Sequence, residues 1–261
     1  MNEINIALFV NSDLGLRILK FLHSKAHVKI KFIAINDENK RRVDFLQELK
    51  QVLSNLELKI PIIENNFLNS EKLPDFDYGI SAMYGHIIHE SLIKKAKIDF
   101  INLHPSPLPI GRGANPISWS ILENRRQGAS IHKLEKRLDA GAIYLQREIE
   151  FGIDANAGEV YLKLTELLFE MFKDFFQDWT DGNLEPIAQI EIESTPHRAL
   201  DLGSIRKIKA QDKLTCEQFV RRIQSLCFSN GTSAIYEDVD GVEWEIRLTL
   251  QPKNKFVEAR E

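Results

Sequence analysis

Asn102 and His104 stand two residues apart at the end of an apolar run over 98–103. In an extended chain, residues i and i+2 share a face, so the amide and the imidazole point the same way. Side by side, they can donate hydrogen bonds to an oxygen that gains negative charge. The imidazole can also take or give a proton near neutral pH. Taken alone, the pair fits a strand-end histidine bonded to backbone equally well. The next residues favour the chemical reading. Pro105, Pro107 and Pro109 restrict the backbone, and Gly111 and Gly113 permit tight turns or a close backbone approach. A loop already restricted when unfolded can wall a site at small entropic cost.

A second candidate is Asp139, in Asp139-Ala140-Gly141. A carboxylate there can orient His104 and hold an ordered water, although Asp before a Gly-containing turn is also ordinary turn chemistry. His132 lies in an alternating segment with Ile131 and Leu134. It can line the same pocket, but it reads first as a packed, hydrogen-bonded core residue. His86 and His89 have a metal-compatible i,i+3 spacing, yet only Glu90 stands near to complete a ligand set. No metal site is expected. Arg198, Arg206, Lys207 and Lys209 suit a phosphate or solvent equally.

The elements that must position these groups follow from periodicity. Short apolar segments at 4–10, 29–35, 59–63, 78–83 and 98–103 read as strands. Helices are predicted over 14–24, over a stretch ending near 56, and over 87–95. Strands separated by helices imply crossovers and a mostly parallel sheet. In such open α/β folds ligands collect beyond the carboxyl ends of the strands, which is where 102–104 falls. A helix is predicted over 116–123, and extended chain over 128–135 and 143–151. Over 158–180, Val160, Leu164, Leu167, Leu168, Met171, Phe172, Phe175 and Trp179 mark one face of a long amphipathic helix. That aromatic stripe reads as core packing. Past Asp181-Gly182 the chain turns polar, a helix is predicted over 215–226, and Asp240-Gly241 splits 234–250 as a two-residue hairpin turn. The expected fold class is α/β: a Rossmann-like domain over 1–190, then a small α+β appendage with a hairpin over 191–261.

Composition narrows the function classes. Of 261 residues, 43% are hydrophobic and 28% charged, which excludes a disordered chain. Lys plus Arg is 34 and Asp plus Glu is 38, a net charge of -4, so no global field favours a polyanion. Cys216 and Cys227 fall in one predicted helix, roughly 16 Å apart and too far for a disulfide. The N-terminal pattern is a strand rather than a signal peptide, and no apolar run approaches the ~20 residues that span a bilayer. The expectation is a cytoplasmic protein with no membrane or nucleic-acid partner. No Gly-x-Gly-x-x-Gly, Walker or Gly-x-Ser-x-Gly motif is present, and Asn11-Ser12-Asp13-Leu14-Gly15 is a poor phosphate cradle.

The run from Asn102 through Pro109, then Gly111-Arg112-Gly113-Ala114-Asn115-Pro116-Ile117, Ser130-Ile131-His132 and 138–146, resembles the folate-dependent formyltransferases in order and spacing. The resemblance covers about 1–180. It implies a 10-formyltetrahydrofolate co-substrate whose formyl group passes to an amine, with Asn102, His104 and Asp139 as the catalytic trio. It places the pteridine against Met83, Tyr84, Gly85, His86, Ile87 and Ile88, and against Leu134, Lys136, Leu138 and Asp139. For the acceptor it implies Ser12, Asp13, Ser106, Pro107, Gly113, Ala114, Asn115, His132, His197 and Arg198. Asn102 and protonated His104 would stabilise the oxyanion; His104 acting first as base stays open.

Within that family the glycinamide branch carries a Gly-Ser-rich phosphate loop that 11–15 lacks. The transfer-RNA branch carries a longer C-terminal domain than 196–261 supplies, and clustered cations for its polyanion are not obvious here. Thr195-Pro196-His197-Arg198 resembles the amino-sugar branch. The expected acceptor is therefore a nucleotide-linked sugar of the dTDP-4-amino-4,6-dideoxy type, bound for surface polysaccharide such as O-antigen or lipopolysaccharide. The alternatives are a methionyl-tRNA or other small-amine formyltransferase and a non-catalytic folate- or nucleotide-binding module. An uncovered hairpin edge suggests a homodimer.

Overall fold

The computed structural model describes residues 3–69, 71–191, 195–228 and 232–251. Ile4–Val10 (β1), Val28–Ile35 (β2), Ile62–Glu64 (β3), Phe76–Ala82 (β4), Ala96–His104 (β5), Gln127–Lys133 (β6) and Ile143–Ile149 (β7) form one sheet. Its order is β3-β2-β1-β4-β5-β6-β7. From β3 to β5 all neighbours are parallel, and β6 and β7 continue antiparallel. Strand order reverses between β1 and β4, so the crevice beyond their carboxyl ends is the expected ligand position.

Helices Asp13–His23 (α1), Phe45–Asn55 (α2), Glu90–Ile93 (α3), Pro116–Leu122 (α4) and Ala157–Thr180 (α5) accompany the sheet. The side chains of Asn156 and Glu159 close a capping box at the start of α5, satisfying amides that the first turn leaves orphaned. The aromatic stripe of α5 is core, as its period indicated: Phe172, Phe175, Phe176 and Trp179 are buried, and Phe21 of α1 meets two of them edge-on. On the opposite face Phe9, Phe32, Phe76 and Phe100 interlock. Gly79 makes room for Phe100, because a Cβ there would lie 2.5 Å from its ring.

Beyond α5, Asp201–Ile205 (α6), Lys207–Lys209 (β8), Cys216–Leu226 (α7), Ala234–Glu237 (β9) and Glu243–Ile246 (β10) build a second small sheet, β10-β9-β8. Ile208, Ile223, Leu226 and Ala234 form its own core. α7 packs on α4.

Three expectations are adjusted. The helix predicted over 87–95 contracts to α3, and the chain just before it is tied at Tyr84, Gly85 and His86 to Asn65, Asn36 and Asp37 of other loops. The hairpin turns through five residues, 238–242, with Asp240-Gly241 inside that loop; Gly241 takes φ 79 and its N–H donates to Asp238 O. Cys227 lies just past the end of α7 rather than within it. The last stretch of the appendage, 252–261, lies outside the described residues.

Candidate active site

β5 delivers Asn102 and His104 at its carboxyl end, and the antiparallel register sets His132 opposite Asn102 and Ser130 opposite His104. All four therefore project from one face. The proline loop that follows is pinned from below. Ser130 Oγ donates to Ser106 O at 2.7 Å and accepts the Leu108 N–H at 3.1 Å, while Gln146 Nε2 donates to Leu108 O at 2.6 Å. Gly111 (φ 73) and Gly113 (φ 89) take backbone conformations that side-chain-bearing residues avoid.

Asp139 arrives on the turn between β6 and β7, itself at φ 49. Its Oδ2 accepts the Gly113 N–H at 2.8 Å. Its Oδ1 lies 3.9 Å from His104 Nδ1 and 3.7 Å from His132 Nε2. Three side chains separated in sequence thus converge on one buried point.

Hydrogen-bond bookkeeping fixes the roles of the ring nitrogens. His104 Nε2 lies 2.9 Å from Gly111 O, and a carbonyl only accepts, so Nε2 carries the proton there. The nitrogen of His104 that faces the site is therefore Nδ1. His132 Nδ1 likewise donates to Lys133 O at 2.7 Å. Burial pushes His132 down to about 4, so its ring is neutral and Nε2 holds a lone pair. That lone pair faces Asn102 Nδ2 at 3.2 Å and accepts from it. His132 thereby sets the amide polarity of Asn102.

His104, His132 and Asp139 also place ligand-type atoms within 4.8 Å of one another. A metal there would have to take the His132 lone pair from Asn102, so the donor set fits proton transfer better than metal binding.

The other candidates separate into groups. At the end of β4, Met83 adopts φ 56, Tyr84 donates to Asn65 Oδ1 at 2.8 Å, and the Gly85 N–H donates to Asn36 Oδ1 at 3.1 Å. His86 faces Asp37 at 3.0 Å rather than pairing with His89, and burial, with Lys40 nearby, lowers its pKa. Burial and Asp37 raise that of Tyr84. Ile88 is buried, whereas Ile87 is 67% exposed. Past the end of β6, the Leu134 N–H donates to Phe100 O, Lys136 pairs with Glu90, and Leu138 is 53% exposed. Ser12 and Asp13 lie at the start of α1, two strands or roughly 10 Å from β5, with Asp13 on Arg42. Ser106 and Pro107 are buried in the proline loop, and Gly113, Ala114 and the exposed Asn115 form its far rim.

His197 is engaged elsewhere: its ring stacks on Trp119 at 3.9 Å and pairs with Glu123 at 3.2 Å, and its carbonyl accepts the Ala114 N–H. The Arg198 N–H donates to Asp201 Oδ2 at the start of α6. Arg112 and Gln189 were not among the candidates, yet both adjoin the trio. Arg112 is 5% exposed and bonds Gln189, which in turn bonds Asp139 O and Gly141 O. The only local signal was an arginine enclosed by two glycines in a proline-rich loop.

An open, mostly parallel sheet that presents an amide, an imidazole and a carboxylate at its carboxyl edge defines an α/β fold with an acid–base site. The chain belongs to the formyl transferase family, whose profile matches residues 40–173. A methionyl-tRNA formyltransferase from Coprothermobacter proteolyticus is 28% identical over 191 residues, covering 71% of this chain and 62% of that one. The chain thus spans less than two thirds of that relative's length. A 4-N formyltransferase from Francisella tularensis has the same fold, with TM-score 0.80 and 19% identity over 95% of this chain and 98% of that one. The formyltransferase PseJ from Anoxybacillus kamchatkensis, in complex with UDP-4,6-dideoxy-4-formamido-L-AltNAc and tetrahydrofolate, superposes with TM-score 0.54 and 25% identity, covering 77% and 88%. Among the described residues, no helix is long and apolar enough to cross a membrane.

Proposed function

We propose that this protein transfers the formyl group of 10-formyltetrahydrofolate to the amine of a nucleotide-linked amino sugar, of the dTDP-4-amino-4,6-dideoxy class. The observation that carries the reading is the meeting of His104 and His132 at Asp139 Oδ1, with Asn102 joined to them through His132 Nε2. The neutral amine adds to the formyl carbon. The oxygen that becomes anionic receives hydrogen bonds from the Asn102 amide and from Nδ1–H of His104 in its doubly protonated form, whose Nε2–H stays on Gly111 O. Addition forms the new C–N bond and moves the carbonyl electron pair onto that oxygen; when the pair returns, the bond to N10 of the folate breaks. N10 takes the proton of His104 Nδ1 as it leaves, and the proton the amine loses passes through Asp139 Oδ1 to refill Nδ1. Holding both reactants against the carboxyl ends of β4 and β5 supplies the positioning contribution.

The pteridine lies between 83–88 and 134–139, where Ile87 and Leu138 expose aliphatic surface. The acceptor enters from the side of Ser12, Ala114 and Asn115. A sugar acceptor is supported by the fold shared along nearly the whole length of a sugar N-formyltransferase from Shewanella, with TM-score 0.78 and 19% identity over 95% of this chain and 98% of that one. It is also supported by the formamido sugar nucleotide in the PseJ complex. Residues 1–190 perform the chemistry and 191–261 brace its rim. The reaction takes place in the cytoplasm without a resident metal or nucleic-acid partner, and its product goes to surface polysaccharide. The chain pairs with itself through the free edge of β10, where Trp244 is 56% exposed.

The test is direct. Purified protein is given 10-formyltetrahydrofolate with dTDP- and UDP-linked 4-amino sugars, and tetrahydrofolate release and formamido product are followed together. Turnover that depends on a sugar nucleotide is expected. The likeness to methionyl-tRNA formyltransferases motivates one competing arm, charged initiator tRNA. Formylation of the tRNA with no sugar turnover would reject the sugar assignment.

A further inference from the structure

The segment that follows α5 runs back across the site. Ile187 exchanges backbone hydrogen bonds with Ile143, Thr195 Oγ1 accepts the Gly111 N–H at 2.8 Å, and His197 pairs with Gly113 as a bridge. At its centre Gln189 Nε2 donates to Asp139 O at 2.9 Å and to Gly141 O at 2.7 Å. Its Oε1 accepts from Arg112 Nε and Nη2 at 3.0 and 2.6 Å. Arg112 is held in turn by Glu191, through Nη1 at 3.0 Å and Nη2 at 3.2 Å. The residue after Arg112, Gly113, donates its N–H to Asp139 Oδ2. The bonds form a closed ring: Asp139 backbone to Gln189, Gln189 to Arg112, and Gly113 back to the Asp139 carboxylate.

We propose that Gln189, gripped by Arg112, is the positioning residue that fixes the Asp139 carboxylate for formyl transfer. This rests on the formyltransferase reading above. The physical need is plain. Asp139 sits at φ 49, a conformation that a non-glycine residue keeps only when its surroundings over-determine it. The two carbonyls flanking Ala140 would otherwise lack a partner from the segment above them. Gln189 supplies both donors from one amide and satisfies both. Arg112 uses a planar fork to hold the amide in the one orientation that presents Nε2 to the turn. Gln189 makes no contact with the reacting atoms and acts through Asp139.

The test compares Gln189→Leu, the isosteric Gln189→Glu and Asp139→Asn, each singly, and Gln189→Leu combined with Asp139→Asn. Gln189→Glu keeps an acceptor for Arg112 but removes both donors to the turn, so it guards against a variant that fails to fold. With either Gln189 variant, kcat is expected to fall roughly 10- to 100-fold, as for lost outer supports of a reactive group, while KM for folate and acceptor stays within about threefold. In the Asp139→Asn background, Gln189→Leu should cost little further, because its route to the chemistry is already cut. A full additional loss there would overturn the proposal, as would an unchanged kcat in both single variants. A readout free of activity separates this from failure of the parent reading. Hydrogen exchange at the Gly113 amide should quicken in Gln189→Leu toward its rate in Asp139→Ala, which offers that amide no side-chain acceptor. Unchanged Gly113 protection rejects the strut, whereas absence of turnover in wild type with protection lost rejects only the formyltransferase reading.

Discussion

The amide nitrogen of Asn102 lies 3.2 Å from His132 Nε2, across the antiparallel register of β5 and β6. A neutral, Nδ1-protonated His132 is the only form that accepts this bond, and burial holds the ring in that form. The Asn102 side chain therefore cannot flip its oxygen toward His132 without setting two lone pairs against each other. Its remaining N–H stays available to a substrate oxygen.

His132→Ala should thus lower kcat by about 10- to 100-fold through Asn102, since outer supports of a reactive group typically count for that much. His132→Gln, which can offer an acceptor oxygen, should recover part of the loss. Steady-state rates of the two variants check this, and equal rates in both would remove the orienting role.

His104 touches the site through Nδ1 because Nε2 is spent on Gly111 O. His104→Ala should lower kcat by roughly 10²- to 10⁴-fold, the range for a lost acid–base group. Affinity for 10-formyltetrahydrofolate, measured by calorimetry, should change by less than about threefold. A variant that turns over at the wild-type rate would end the assignment.

How much of this was legible in the chain depends on separation. The Asn102–His104 pair was readable because a two-residue spacing on a strand fixes a shared face without knowledge of the rest. The stripe of α5 was readable for the same local reason, its period. The Asp139 turn could be named from its Asp-Ala-Gly residues and from the resemblance, but its approach to Gly113 joins residues 26 positions apart. The Arg112–Gln189 bond spans 77 positions. Nothing near Gln189 distinguishes it from any polar residue in a turn-rich stretch; only the return of the chain after α5 gives it two carbonyls to satisfy. The helix expected over 87–95 fell short for a related reason. The Tyr84 hydroxyl and the Gly85 N–H donate to Asn65 Oδ1 and Asn36 Oδ1, which hold the preceding segment out of helix, and those partners come from other loops.

Acid should act on stability through His132. Burial lowers its pKa to about 4, while an unfolded imidazole titrates near ~6.5. Between these values the unfolded chain binds a proton that the folded chain refuses. Stability should therefore fall as pH drops from about 6.5 toward 4, with no further loss from this group below that. Tm recorded across this window for wild type and for His132→Asn, which has no titrating ring, checks the point. Parallel curves for the two proteins would show that another group governs the acid limb.

Gly141 supports the Asp139 turn through absence of a side chain. A Cβ at this position would lie 2.0 Å from Lys133 O and 2.8 Å from its carbonyl carbon, both backbone atoms of β6 that cannot swing aside. Gly141 O is also one of the two carbonyls that Gln189 holds. Gly141→Ala must then push the turn away from β6 or strain the strand, at a cost typical of overpacking, about 1–3 kcal/mol. Either response carries Asp139 away from His104, so kcat should drop along with Tm. The contrasting position is Gly203, in α6, where a Cβ meets nothing within 4 Å. Gly203→Ala should leave both Tm and kcat near wild type. Thermal melts and initial rates on the two variants separate a steric role at position 141 from a general sensitivity to alanine, and a Gly141→Ala protein with wild-type Tm and kcat would show that the turn has slack.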